Sequence, residues 1–527
     1  MRLSAKLKGY KRFLYNLIIP AIIFGFITGF LTAVLIVLYK LLAEHVIKLS
    51  MLGYELLRDH LYFVPIVLIA FYFISWLISY VHRVHPNIKG GGIATSVGIL
   101  RGIITFKWLR NVIEVFLLSL LSFLIGVPVG NEGPSVQMGT ALGRGGVYTF
   151  AKKHRAWDRY TMTGGACAGF SVATGAPISG IIFAIEEAHQ RISPTIMMVA
   201  SSSVVFASIT SKVLSPIFGV STVLFEGLSL PTLSVSGYWI PLVIGIVIGI
   251  FGVFFLGYYK LIHKLIGEKL RISNRLKIFI ILSLTLVLGL ISTDFISTGH
   301  ALIDDLMSGK MAFYVLLIII LVRSSLTISA NERGVLGGTF LPMLAIGASV
   351  GALLANGYTS LLGENEMMYT LIIVLSMCAS IAGVMKCPLT AIIFGIEVFS
   401  CVENIIPVII VSLFSYLITE MFGVKSINDS ALELRLEELN KDKVASVVDT
   451  YVTVNKGSFA VGKQIRDIFW PANLFVLSVK KASSDSEEVD EHGGKALRAG
   501  DELHIQYSTF DNESTEDELY AIVGIQK

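Results

Sequence analysis

Residues 176–186 read APISGIIFAIE, and residues 387–397 read CPLTAIIFGIE. Six of the eleven positions are identical, at an offset of 211. A second register agrees with the first. Pro134, Gly139 and Gly143 recur as Pro342, Gly347 and Gly351, each at an offset of 208. Two matches in one order at nearly one offset mark an internal duplication, with repeats over about 13–215 and 236–425. Sequence alone leaves open whether the repeats are parallel or inverted. Pro128, Pro134, Pro177, Pro342 and Pro388 stand at or inside charge-poor runs. Non-helical backbone survives at membrane depth only where protein or a water-filled cavity covers it. Interrupted helices in the middle of both halves therefore point to a transport site.

Composition agrees with a lipid-embedded body. The chain has 527 residues, 54% of them hydrophobic and only 15% charged, and its mean hydropathy is +0.73. A soluble domain carries roughly 25% charged residues, so this chain lacks the charge to cover a water-exposed surface. The same numbers exclude collagen-like, disordered and disulfide-scaffold classes. The net charge of +4 is too small to argue for nucleic acid. The charge is also unevenly placed. Residues 431–527 carry a net of −7, and the remainder +11. Two bodies are expected: a transmembrane domain, 13–430, and an acidic soluble domain, 431–527.

The first twelve residues hold five basic side chains and no acid. A charge-free run over 13–39 follows, too long for a signal-peptide core, and Lys40 ends it. The first span is read as retained, with segment 1–12 in the cytoplasm by the positive-inside rule. Beyond Gly423, a charged helical segment at 431–443 leads into short alternating runs. These predict a small α+β domain.

Three Gly-rich segments carry the chemistry: GGGIA at 90–94, GNEGP at 130–134 and GGTFLP at 337–342. Each precedes a stretch that can be helical. A helix N-terminus presents unpaired N–H groups and about half a positive charge. Glycines admit a ligand close to that backbone. Several such ends converging at mid-membrane would hold a dehydrated anion without a full buried cation. The plainer reading is that the glycines only let helices pack closely. Glu132 sits between two glycines after the long apolar run 112–129. A charge at the centre of a membrane helix costs at least ~2.5–3.5 kcal/mol, so the residue needs a role. It could occupy the anion site when charged and leave when protonated; the alternative is a surface glutamate in a loop. Glu186 and Glu187 close an apolar run, as a proton relay or as a solvated helix end. Glu397 repeats Glu186 and is read as structural.

Other chemistry is not expected. Cys167, Cys378, Cys387 and Cys401 lie in apolar stretches without a CxxC, as reduced, packed thiols. The ten histidines form no metal-ligand spacing, so neither a metal nor a cofactor is expected. GASVG at 347–351 imitates a hydrolase elbow but lies in a small-residue membrane helix with no strand before it.

These motifs, in this order, together with the flanks GIIFAIEE and CPLTAIIFGIE, resemble the CLC chloride channel and transporter family over about residues 14–430. The resemblance implies an all-α polytopic inverted-repeat fold with broken helices, assembled as a homodimer with one anion pathway per subunit. It places Glu132 on the external gating glutamate and Glu187 on the internal proton-transfer glutamate of exchangers. It places Thr339 and Phe340 on the anion-coordinating loop. Gly91, Gly92, Ile93, Gly130, Asn131 and Gly133 fall in the other anion-binding loops. Asn428 stands where the central pore tyrosine is usual. Gly91 removes a hydroxyl donor that many chloride members have, and Asn428 removes the phenol. Asn131 replaces the usual Lys or Arg, as in the fluoride-exporting branch; the Met typical of that branch is absent at Gly91. The expected function is chloride/H⁺ antiport across a plasma membrane, with fluoride/H⁺ antiport or a passive chloride channel as alternatives. The tail, through GSFAVGKQIRDI and ALRAGDELHI, resembles the C-terminal subdomain of TrkA-type regulators. That implies a small cytosolic ligand such as a nucleotide, and a tail able to strain the inner end of the last helix; the alternative is a domain that only stabilises assembly.

Overall fold

A computed structural model describes residues 17–524, except 91, 226–227, 364–365, 441–442, 483–486, 489–492 and 495. The basic segment 1–12 and Gly91 lie outside the described residues.

The first half runs α1 (Ile19–Asp59), α2 (Val64–Val84), α3 (Ile93–Leu100), α4 (Trp108–Ile125), α5 (Glu132–Phe150), α6 (Asp158–Thr174), α7 (Pro177–Phe183) and α8 (Pro194–Phe218). The second runs α9 (Trp239–His263), α10 (Asn274–Ile291), α11 (His300–Ser308), α12 (Phe313–Arg333), α13 (Phe340–Leu362), α14 (Glu366–Val384), α15 (Pro388–Phe399) and α16 (Ile405–Met421). A last helix, α17 (Ile427–Asn440), follows. Among the described residues, nine helices are long and apolar enough to cross a membrane. The chain is a multi-pass membrane protein with a small sheet domain after it.

Broken helices occur where the prolines and glycines predict them. The apolar run 162–185 is cut at Gly175, whose φ of +74° ends α6, and Pro177 opens α7. A left-handed glycine stops a helix, and proline at the first position lacks only an N–H that would go unpaired anyway. Helices α3 and α7 have 8 and 7 residues, roughly 10–12 Å at the α-helical rise, far short of a ~30 Å hydrocarbon core. Lys40, in contrast, does not end the first span. Helix α1 continues through it for 41 residues. The Lys40 ammonium is buried and donates to the Ser221 carbonyl at 3.0 Å, so protein rather than water satisfies its charge.

Duplicated residues do the same work in each half. Gly139 and Gly143 bring α5 against the backbone of α6 at Gly165 and Thr161. Their counterparts Gly347 and Gly351 bring α13 against Ser380 and Ser376 of α14. A Cβ at any of the four would collide with the facing helix, so these glycines serve close packing. The terminal glutamates of the repeat exchange places. Glu186 accepts from the N–H groups of Leu389 and Thr390, at 3.0 and 2.9 Å, at the start of α15. Glu397 accepts from the N–H groups of Ile178 and Ser179, both at 2.8 Å, at the start of α7. Each half therefore caps the other's short helix, the reciprocity expected of halves related by a pseudo-twofold axis.

Helix α17 runs unbroken across residues 430 and 431. Its Leu432 is buried in the main membrane core, and buried Arg435 donates to Thr95 of α3. Of the helical segment read at 431–443, residues 431–440 are thus the continuation of the helix that closes the membrane body. Strands β1 (Ser446–Thr453), β2 (Leu474–Lys480), β3 (Glu487–Glu488) and β4 (Glu502–Thr509) form an antiparallel sheet in the order β1-β4-β2-β3. Alternate residues of β4, Leu503, Ile505 and Tyr507, are buried against α18 (Asn512–Val523). The period-2 pattern of the tail has folded as a half-buried sheet.

Candidate anion and proton sites

The three Gly-rich segments meet. Gly130 and Gly338 exchange two backbone hydrogen bonds, of 2.7 and 2.6 Å. Gly92, at φ +79°, lies so close to Gly133 that a Cβ there would overlap the Gly133 backbone. A Cβ on Gly338 would press on the Gly133 amide from another side. The Thr327 hydroxyl ties α12 to this junction by donating to the Pro128 carbonyl at 3.0 Å. Unlike Gly139 or Gly347, these glycines pack loop on loop. They bring the first turns of α3, α5 and α13, which start at Ile93, Glu132 and Phe340, into one region. The positive ends of three helices then sum there.

Glu132 lies at that point with no solvent exposure. Its carboxylate folds back over Gly130, where a Cβ would strike Oε2. The backbone N–H groups of Glu132 and Leu341 face it, and Lys40 lies within electrostatic reach. Among the described residues no side chain hydrogen-bonds either carboxylate oxygen. The carboxylate therefore sits where the helix ends would draw an anion. It is not a surface loop residue. Asn131 is partly buried, with an unpaired side-chain oxygen. Thr339 and Phe340 are buried, and the Phe340 ring stands edge-on to Phe170 and Phe394 at 5.2 and 5.3 Å. Gly91 belongs to the α3 loop but lies outside the described residues.

Glu187 and Asn428 form a second group. Glu187 is 4% exposed and lies in a π-helical turn, Ala184–His189. Its Oε2 accepts from the Cys387 thiol at 2.8 Å, and the buried Asn428 amide faces it. Glu187 Oε1 and Asn428 Nδ2 are left without a hydrogen bond. Arg101 holds the turn from outside by donating to the carbonyls of Glu187 and Ala188 at 3.0 and 2.9 Å, and it pairs with Asp429 of α17. Glu186 and Glu187 therefore have different jobs. Glu186 is engaged as a helix cap with both oxygens, and Glu187 faces the Cys387 thiol with one oxygen and has no partner for the other.

Two cavities flank α17. One, of about 440 Å³, is bounded by Lys89, Gly90, Thr95, Glu332, Arg333 and Arg435 and leads toward the α3 loop. The other, of about 1120 Å³, is bounded by Arg101, Glu186, Glu187, Lys386, Tyr416 and Asp429. The helix contributes residues to the walls of both cavities, one beside Gly90 and one beside Glu187. Among the described residues, no group of His, Cys, Asp and Glu could hold a metal ion.

Three features were not singled out from sequence: Lys40 beside Glu132, the Cys387 thiol on Glu187, and the hold of Arg101 on the Glu187 turn. One signal existed for Cys387. The repeat aligns it with Ala176, so the two halves differ at the position that reaches Glu187.

A family model described as "Voltage gated chloride channel" matches residues 70–420. The fold is similar to an X-ray structure of a slow cyanobacterial Cl⁻/H⁺ antiporter, at 24% identity and TM-score 0.72, over 80% of this chain and 99% of that one. It is similar to a eukaryotic CLC transporter at 19% identity and TM-score 0.63, over 79% and 74% of the two chains. It is also similar to a CLC-type fluoride/proton antiporter at 22% identity and TM-score 0.60, over 75% and 95%. With more than half its length matched and its broken helices arranged around a shared glycine junction, the chain belongs to the voltage-gated chloride channel (CLC) family, a family of transporters and channels rather than enzymes.

Proposed function

We propose that the protein is a proton-coupled anion antiporter that exchanges chloride for protons. One observation carries this reading. A buried carboxylate without a side-chain partner, Glu132, stands among three helix N-termini. A second buried carboxylate, Glu187, borders a separate cavity. A passive anion pore needs the helix ends alone; two carboxylates on distinct routes suit a carrier that also moves protons. The anion lies against the backbone of Gly92–Ile93, Gly130–Gly133 and Thr339–Phe340, with Asn428 on the inner side; Gly91, next to Gly92 in sequence, is assigned to the same site by the family resemblance. When Glu132 is charged it competes with the anion for the helix ends. When protonated it gives up the place, and the anion moves.

The protein works as a homodimer in the plasma membrane, with both termini in the cytoplasm. The tail is a TrkA-C-like domain that takes a small cytosolic ligand such as a nucleotide. Fluoride is the second reading, favoured by Asn131 in place of a basic residue. The test is flux from liposomes holding the purified protein, with chloride, fluoride and nitrate in turn and pH recorded simultaneously. Anion flux without stoichiometric proton movement overturns antiport, and a strong preference for fluoride moves the assignment to the second reading.

Selectivity gives a sharper test. Gly91 offers the anion backbone contacts only, so chloride, bromide and nitrate are expected to compete on similar terms. Gly91→Ser adds a hydroxyl donor worth roughly 0.5–1.5 kcal/mol net and should raise preference for chloride by about two- to tenfold. Competition between anions in the flux assay measures the shift. Fluoride selectivity that this change leaves untouched supports the second reading.

A further inference from the structure

We propose that the soluble tail controls the proton branch of transport by gripping the turn that carries Glu187, with Phe469 as the positioning residue. The inference rests on the reading of Glu187 as the inner proton-transfer group, and it goes beyond that reading by assigning the tail a target.

The contacts are specific. Residues 467–470 lie between β1 and β2 and reach the membrane body. The Phe469 ring packs on Tyr160 of α6 at 4.5 Å and on His189 at 4.6 Å. The Arg191 guanidinium lies over the same ring at 4.6 Å. The Tyr160 hydroxyl donates to the Asp467 carbonyl at 2.8 Å and accepts from the Phe469 N–H at 3.3 Å. Arg159 donates to the Trp470 carbonyl at 2.6 Å and pairs with Glu518 of α18 at 2.8 Å. Phe469 is 7% exposed, so the domain is seated here by a buried aromatic anchor ringed by polar contacts.

What the anchor touches gives it a function. His189 is the last residue of the π-helical turn Ala184–His189, two residues from Glu187. A π-helical turn is rare and frequent at functional sites, and its wider hydrogen-bond ring is less stable than an α-helix by itself. Here it is held by outside partners. Thr163 of α6 meets His189 Nε2 at 2.8 Å, Arg101 holds the carbonyls of Glu187 and Ala188, and Phe469 closes the third side. Release of Phe469 frees the His189 end, and Glu187 loses its setting against Cys387 and Asn428. These contacts fall on the Glu187 turn rather than on the junction around Glu132. A change in the tail therefore acts on proton delivery before anion binding. A ligand that favours the seated or the released tail would set the proton-to-anion ratio by its differential affinity for the two states.

The experiment uses full-length protein in liposomes, with anion and proton fluxes recorded together for wild type, Phe469→Ala, Tyr160→Phe and Glu187→Gln. Phe469→Ala should lower proton flux by up to about 100-fold, the cost of a transfer group displaced by about 1 Å, and leave anion flux within about twofold. Tyr160→Phe removes one hydroxyl and keeps the ring, so it serves if Phe469→Ala does not fold, and it should move the ratio the same way by a smaller factor. A parallel fall of both fluxes, or an unchanged ratio, overturns the proposal. If Glu187→Gln stops protons and the tail variants leave the ratio unmoved, the tail proposal alone fails. Proton flux that survives in Glu187→Gln overturns the reading beneath it as well.

Discussion

Glu132→Gln is expected to reduce proton movement against an anion gradient at least ~100-fold, the contribution typical of a positioned proton-transfer group, while anion flux persists. Glutamine keeps the size and polarity of the side chain and removes its ability to take up and release a proton. The α3, α5 and α13 N-termini are unaffected, because their positive ends come from backbone N–H groups held by the Gly130–Gly338 pair. Anion affinity should rise, since the competing carboxylate is gone. The pH response provides a second readout. In the wild type, acid protonates Glu132 and frees the site, so flux rises as pH falls; in Glu132→Gln the profile should be flat. Electrodes for pH and chloride in one liposome suspension measure all three effects. Undiminished proton pumping in the variant would overturn the assignment of this residue.

Glu187→Gln should also stop proton movement but leave anion flux and its pH profile near wild type, because Glu187 borders the cavity away from the glycine junction. Its neighbour is the control. Glu186 caps α15 through Leu389 and Thr390, so Glu186→Gln weakens a helix start, by about 0.5–2 kcal/mol if it behaves as a cap. That change should lower the unfolding temperature and depress both fluxes together. Adjacent glutamates with opposite signatures, one on coupling and one on stability, would separate the two roles. Equal effects of the two substitutions on the flux ratio would contradict the division.

Much of the architecture was legible because its signals are local. Charge-poor runs report the membrane, since burying charge in hydrocarbon is costly wherever it falls in the chain. Pro177 and Pro388 mark helix starts through their own missing N–H, and the left-handed Gly175 marks a stop. The 211-residue offset reported the duplication, and the alternating tail reported a sheet. Where a signal depends on partners far along the chain, sequence was silent or misleading. Lys40 looked like a span boundary because its acceptor, the Ser221 carbonyl, is 181 residues away. Glu186 and Glu187 read alike by their chemistry, because nothing in EE tells a helix cap from an acid set against a thiol; only the family resemblance set Glu187 apart.

The sequence by itself determined that this is a duplicated membrane protein of broken helices with Glu132 set among glycines, and that an acidic α+β domain follows. Those facts are written in composition, period and backbone-limiting residues, which act within a few positions of themselves. Only the tertiary structure decided which glycines pack helices and which meet at the junction. It alone showed Glu186 as a helix cap, placed the Cys387 thiol on Glu187, and seated Phe469 of the tail against the turn beneath it. Each of those depends on a hydrogen bond or ring contact between residues about two to three hundred positions apart. Such contacts arise when the halves pack, and a linear pattern carries no record of which polar group will find which partner.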